Sequence, residues 1–245
     1  MCEAIILAGG LGTRLRSVLP DLPKSMAPVA DKPFLAWQIE YLATKGVDRI
    51  VLSLGYKADV IKDYFGHGYA GVSIDYVIED SPLGTGGAIL MALRVAQSDR
   101  VFVVFGDTLV DVDLSALRDR VVGADMIGVG VKRVADAGRY GRVEFDEYSH
   151  RVTGFSEKKG GGAAFINAGV YDLPRSLIDR IDCPSPFSFE TEILQRIGRG
   201  IAVGNNPLWP LVACPFGDFF IDIGIPEDFV AAQTLIPEWV ARKSQ

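Results

Sequence analysis

An apolar run that breaks into closely spaced glycines limits what this chain can be. Ala4-Ile5-Ile6-Leu7-Ala8 passes at once into Gly9-Gly10-Leu11-Gly12-Thr13-Arg14, and Pro23-Lys24 comes soon after. A short continuous apolar run predicts a strand buried on both faces, as in a parallel sheet. The glycines permit positive φ and let backbone N–H groups approach an anion closely. Thr13 adds a hydroxyl donor, Arg14 a forked cation and Lys24 a point charge. Strand, glycine loop and cations together are chemistry for a polyphosphate.

Two familiar phosphate loops do not match. A Walker A loop needs a second glycine followed by Lys and Ser or Thr, and no such run is present. In a dinucleotide fingerprint Gly10 and Gly12 would fit, but Leu15 stands where the third glycine belongs, and the next apolar strand ends in Gly55-Tyr56 rather than an acid. The run instead resembles the signature of the sugar-phosphate nucleotidyltransferases, Gly-Gly-x-Gly-Thr-Arg-Leu followed by Pro-Lys. That resemblance implies that Leu7, Ala8, Gly9, Gly10, Gly12 and Thr13 bind the nucleotide and that Arg14 and Lys24 are catalytic.

The length of 245 residues suits one large α/β domain or two small ones, and 49% hydrophobic residues allow a substantial core. A net charge of −6 argues against a nucleic-acid partner or an anionic membrane. Any anionic substrate must be held by local cations. Cys2, Cys183 and Cys214 are scattered without metal-ligand spacing, which suits a reducing cytoplasm. The chain enters a strand directly, so no signal peptide is expected, and no apolar run reaches membrane-spanning length.

Along the chain, Pro33 to Gly46 predicts a buried helix and Arg49 to Leu54 a strand. Ala58 to Phe65 predicts a helix, Val72 to Ile78 a strand, Glu79 to Gly87 a loop, Ala88 to Ala96 a helix and Val101 to Phe105 a buried strand. The second half reads as strands at 126–134, 141–145, 152–155 and 165–171, helices at 175–181 and 189–197, short strands near Ile201, Leu211 and 219–223, and a helix after Pro226. The expected fold is α/β, a Rossmann-like, mixed and mostly parallel sheet flanked by helices. No linker or repeat is visible, so the reading is a single domain over 1–245, with a nucleotide-binding part over about 1–112 and a sugar-phosphate-binding part over about 113–245. Some family members append a hexapeptide-repeat β-helix; none is expected here, because no internal repeat is visible.

Asp107 follows the buried strand 101–105, where α/β sheets bind ligands, and an acid there suits Mg²⁺ beside phosphate oxygens. A cap for the helix near Leu114 is the alternative role. Asp222 sits on the apolar run 219–223, where a charge is costly unless paired or bound to metal. It resembles the family's second Mg²⁺ aspartate, in the pattern Asp-x-Gly-x-Pro-Glu; a buried salt bridge is the alternative. Glu157-Lys158 resembles the family's Glu-Lys motif for the sugar phosphate, with Lys159 in place of the usual proline; by sequence alone it reads as a solvated pair. Asn167-Ala168-Gly169-Val170-Tyr171 resembles the family's sugar-contacting strand, and Tyr140-Gly141 a further acceptor-binding glycine. Leu83-Gly84-Thr85-Gly86-Gly87 resembles the base and ribose loop, which assigns Gly84 and Thr85 to the nucleotide. The position of Glu79 resembles the place where thymidylyl relatives carry a base-reading glutamine. A carboxylate offers only acceptors, which suits the two adjacent donors of guanine.

The resemblance implies an enzyme in which a sugar 1-phosphate oxygen attacks the α-phosphorus of a nucleoside triphosphate and pyrophosphate leaves. The nucleophile is already anionic, so positioning and charge neutralisation suffice, with Mg²⁺ as cofactor. Residues 22–29 and 31–35 are most similar to the guanylyltransferases of D-glycero-α-D-manno-heptose 1-phosphate, although Ser25 departs from the usual proline. The partners implied are GTP and a sugar 1-phosphate. The product would be a GDP-heptose for bacterial surface polysaccharide, in capsule or lipopolysaccharide. A mannose 1-phosphate guanylyltransferase, a uridylyl or thymidylyl transferase, and a non-catalytic binder of nucleotide sugars stay open, as does a homo-oligomer.

Overall fold

The apolar run at the start of the chain is β1 (Glu3–Leu7), and it lies inside a ten-stranded sheet. The computed structural model describes residues 1–10, 12, 15, 19, 21–156, 161–203, 209–217 and 219–243. After the glycine loop, a 3₁₀ turn (Lys24–Met26) and a small hairpin, β2 (Pro28–Val29) with β3 (Lys32–Pro33), lead into α1 (Phe34–Thr44). The chain continues through β4 (Arg49–Leu54), α2 (Ala58–Phe65), β5 (Gly68–Tyr69), β6 (Val72–Ile78), α3 (Gly84–Leu93), β7 (Arg100–Phe105), β8 (Thr108–Val110) and α4 (Leu114–Arg120). The second half contains β9 (Ile127–Val134), β10 (Arg142–Phe145), β11 (Val152–Ser156) and β12 (Ala164–Pro174). A 3₁₀ segment (Arg175–Asp179), a π-helical segment (Glu190–Gln195) running into α5 (Arg196–Gly198), β13 (Leu211–Pro215), β14 (Phe220–Asp222) and α6 (Pro226–Lys243) follow.

β7, β1, β4 and β6 are parallel neighbours in that order, which explains the unbroken apolar runs: each strand is covered on both faces. Ile6, Leu52 and Val104 face α1 and α6, where they meet Phe34, Ile39, Phe229 and Trp239. Their neighbours Ile5, Val51 and Val103 face α3 and meet Ile89 and Leu93. The residues of α6 therefore complete the core begun by β1. The expected mixed sheet flanked by helices is what the chain forms.

β12 joins the two halves. It pairs antiparallel with β9 along one edge and with β10 and then β7 along the other. Opposite β9 its register shifts between Asn167 and Tyr171, which face Val131 and Val129. Gly169, inside this bulge, has φ +69°, a conformation costly for any residue with a Cβ.

Several boundaries differ from expectation. Pro33 precedes α1 with an extended ψ of 146°. The segment at 175–179 is 3₁₀ rather than α, and Ile201 lies outside any strand. α3 begins at Gly84, so the expected glycine loop is half helix. The reason is packing: a Cβ on Gly84 would collide with the Phe187 backbone, and one on Gly86 with the Phe187 ring. The Phe187 carbonyl also accepts the Gly86 N–H at 3.0 Å, satisfying a first-turn donor.

Candidate active site

The turn between β7 and β8 carries Asp107. Gly106 donates its N–H to the Leu7 carbonyl at 2.9 Å, and a Cβ on Gly106 would come within 2.8 Å of that same oxygen. Glycine is what lets the turn lie flat on the end of β1. Gln38, buried in α1, donates to the carbonyls of Phe105 (2.8 Å) and Thr108 (2.7 Å), on either side of Asp107. β14 pairs antiparallel with β8, with Asp222 opposite Thr108, and Ile223 N–H donates to the Asp107 carbonyl at 3.0 Å. Backbone hydrogen bonds thus bring the two carboxylates to one place.

Lys24 meets them there. Its Nζ lies 2.5 Å from Asp107 Oδ2 and 3.7 Å from Asp222 Oδ1, on a side chain only 15% exposed. Gly224 N–H donates to Asp222 Oδ1 at 2.7 Å. Burial holds the Asp222 carboxyl above the usual range; the Asp107 charge adds to this and Lys24 opposes it. The cap of α4 is Asp113, which accepts from Ala116 N–H at 2.9 Å, so Asp107 is not used as a helix cap. Two carboxylates converging on one cation are a hard oxygen donor set, which fits Mg²⁺. Among the described residues no group of three or more His, Cys, Asp or Glu converges for a metal. An ion here would complete its shell with water or phosphate oxygens.

A cavity of about 490 Å³ opens over this cluster. Gly10, Gly12, Lys24, Asp107 and Asp222 line it together with Gly141, Asn167 and Gly169. Lys24 thus shares one space with residues from both halves. Asn167 is held at both ends: its Oδ1 accepts from Gly169 N–H at 3.2 Å and its Nδ2 donates to the Tyr171 hydroxyl at 2.6 Å. A Cβ on Gly169 would come 3.0 Å from the Phe105 ring, so the bulge keeps the cavity floor open.

Other expected residues lie elsewhere. Leu7, Ala8, Gly9, Glu79, Gly84 and Thr85 are not in the wall of this cavity. Glu79 instead lines a second cavity of about 510 Å³ together with Leu83 and Gly87. Its Oε2 accepts from Leu83 N–H at 2.9 Å, and its Oε1 lies 2.9 Å from where a Gly9 Cβ would stand. Burial raises the Glu79 pKa, and the Leu83 N–H opposes that. The carboxylate is therefore not a free fork, because one oxygen is committed to the loop. Thr13, Arg14, Glu157 and Lys158 lie outside the described residues.

The cavity also holds residues the sequence reading did not assign. Arg139 bridges Asp228 (2.6 Å) and the Tyr140 hydroxyl (3.0 Å), and Tyr140 packs edge-on against Phe220. Glu190 accepts from Thr85 Oγ1 at 2.7 Å and Ser188 Oγ at 2.8 Å. In the sequence Glu190 is one acid in a helical pattern, and nothing local separates it from a solvated face.

The nucleotidyl transferase family matches residues 3–238. The chain belongs to that family. Among its relatives, the D-glycero-alpha-D-manno-heptose 1-phosphate guanylyltransferase of Campylobacter jejuni is 42% identical over 227 residues, 93% of this chain and 96% of that one. The enzyme of the same name from Aneurinibacillus thermoaerophilus is 40% identical over 240 residues, 97% of this chain and 100% of the relative. As a nucleotidyl transferase fold, the chain superposes on crystalline HddC from Yersinia pseudotuberculosis complexed with GMP-PN. That match has a TM-score of 0.80 and 38% identity, covering 95% of this chain and 98% of the other. The family expected from the glycine loop is thereby established for this nucleotidyl transferase.

Proposed function

We propose that the chain transfers a guanylyl group from GTP to D-glycero-α-D-manno-heptose 1-phosphate, giving GDP-heptose and pyrophosphate. The observation that carries this reading is near full-length identity of 40–42% to two enzymes of that name. The cavity supports it chemically, because Lys24 and Asp107 of the nucleotide half and Asp222, Asn167 and Gly169 of the other half line one space.

The sugar phosphate already carries the attacking oxygen as an anion, so no protein base is needed. Lys24 would leave its carboxylates for the triphosphate and neutralise charge there. Asp107 and Asp222 would hold Mg²⁺, which when bound supplies charge neutralisation to the phosphate oxygens. Gly10 and Gly12 present backbone N–H groups without side chains in the way. Arg14 belongs with Lys24 on the triphosphate, and Glu157 and Lys158 with the sugar phosphate. Gly141, Asn167 and Gly169 shape the sugar side. Leu7, Ala8, Gly9, Thr13, Gly84 and Thr85 complete the nucleotide side, with Glu79 presenting its second oxygen to guanine. No helix among the described residues is long and apolar enough to cross a membrane, and we place the reaction in the cytoplasm, where GTP is available.

The test is a matrix of nucleoside triphosphates against sugar 1-phosphates, read by pyrophosphate release. GTP with the heptose 1-phosphate is expected to give the highest kcat/KM. A higher value for mannose 1-phosphate, or for UTP or dTTP, would replace the assigned pair.

A further inference from the structure

The first turn of α3 and the segment 187–190 are zipped together. Phe187 N–H donates to the Leu83 carbonyl at 3.1 Å, and Gly86 N–H donates to the Phe187 carbonyl at 3.0 Å. Thr85 Oγ1 accepts from Phe189 N–H at 2.9 Å and donates to Glu190 Oε2 at 2.7 Å. On the far side, the Tyr171 hydroxyl lies 3.4 Å from Glu190 Oε1 and accepts from Asn167 Nδ2 at 2.6 Å. A polar path therefore runs from the nucleotide loop to the sugar side of the cavity.

Proton counting fixes its direction. A carboxylate only accepts, while each hydroxyl has one proton. Tyr171 is fully buried, so its proton goes to Glu190 and its lone pair takes the Asn167 amide. Thr85 spends its proton on Glu190 and one of its two lone pairs on Phe189 N–H. Asn167 cannot flip without losing Gly169 N–H. Each group has one satisfied arrangement, so ordering one end orders the other.

We propose that Glu190 is a positioning residue that couples the nucleotide and sugar-phosphate sites through Thr85, Tyr171 and Asn167. This rests on the reading that Thr85 meets GTP and Asn167 the sugar phosphate. A ligand seated on Thr85 fixes the Glu190 carboxylate, and the Asn167 amide is then already aimed when the second ligand arrives. By linkage the effect is reciprocal.

The experiment is calorimetry of heptose 1-phosphate binding, with and without saturating guanosine 5′-[α,β-imido]triphosphate and Mg²⁺. It uses wild type, Tyr171→Phe, Thr85→Val and Thr85→Ser. Tyr171→Phe keeps the ring contacts with Phe105 and Phe189 and removes only the hydroxyl. In wild type the analogue is expected to tighten sugar binding about fivefold or more. That factor should fall by more than about twofold in Tyr171→Phe and Thr85→Val and return in Thr85→Ser. A wild-type factor near one, or a factor in either disrupted variant within about twofold of wild type, overturns the coupling. Wild type that releases no pyrophosphate from GTP and the heptose phosphate overturns the functional reading instead, and this proposal with it.

Discussion

Lys24 Nζ lies 2.5 Å from Asp107 Oδ2, although 83 positions separate the two residues in sequence. A lysine ammonium thus stands where two carboxylates converge. On the proposed reading, nucleotide binding would exchange these partners, giving the carboxylates a metal and the lysine a triphosphate.

Asp107→Asn keeps the volume and removes the charge. Several kcal/mol of transition-state stabilisation should go with it, lowering kcat by about a hundredfold or more. Steady-state pyrophosphate release in saturating Mg²⁺ measures this. Turnover close to wild type would remove Asp107 from the proposed metal site.

Asp222 carries a sign that can be read in stability. Its folded pKa is raised above the unfolded value, chiefly by burial and then by Asp107, so the native state holds its proton more tightly. Its ionised form weighs against the fold at neutral pH, and that penalty fades as pH falls through the folded pKa. Asp222→Asn should therefore melt higher than wild type at pH 7 without metal, and the difference should shrink toward acid. It should also lose activity. A melting difference that is flat with pH, or of opposite sign, contradicts the assignment.

Glu79→Gln tests base choice. With Oε2 tied to Leu83 N–H, only Oε1 remains to accept from guanine. The GTP preference in kcat/KM should shrink by about 1–3 kcal/mol if that oxygen reads the base. If selectivity among GTP, ATP, UTP and dTTP is unchanged, Glu79 serves only to shape the loop.

Gly86→Ala places a methyl in the Phe187 ring. Overpacking of this kind costs about 1–3 kcal/mol, seen as a lower urea midpoint at constant slope. An unchanged midpoint would mean that Phe187 shifts freely.

The sheet was legible where periodicity and punctuation agree. The bounds of β4, α2 and β6 are those expected, because apolar alternation stops at Gly55, Gly66 and Glu79. That Asp222 needs a partner was legible, since an acid on an apolar strand is costly alone, but that the partner site includes Asp107 came only from the resemblance to the family motif. The pairing of Lys24 with those same aspartates was not, because a loop lysine carries no mark of which carboxylate it will meet. Gly84 to Gly87 were read as a loop because a glycine run looks like a chain break. Their actual cause, Phe187, lies a hundred residues downstream and outside any local pattern. Glu190 escaped for the same reason: its partners Thr85 and Tyr171 come from other elements.

α6 packs its Phe229, Ala232, Ile236 and Trp239 into the same core as Ala4, Ile6 and Phe34. Gln233 adds bonds to Pro28 O and Ala30 N–H, each 2.9 Å. The first strand is thus covered by a helix made more than two hundred residues later. On a ribosome, the first strands leave the tunnel long before the helix that covers them has been made. The nascent chain must carry an uncovered apolar face until α6 has emerged, and the emergence of that helix, rather than completion of the early strands, sets the moment at which the nucleotide side becomes whole.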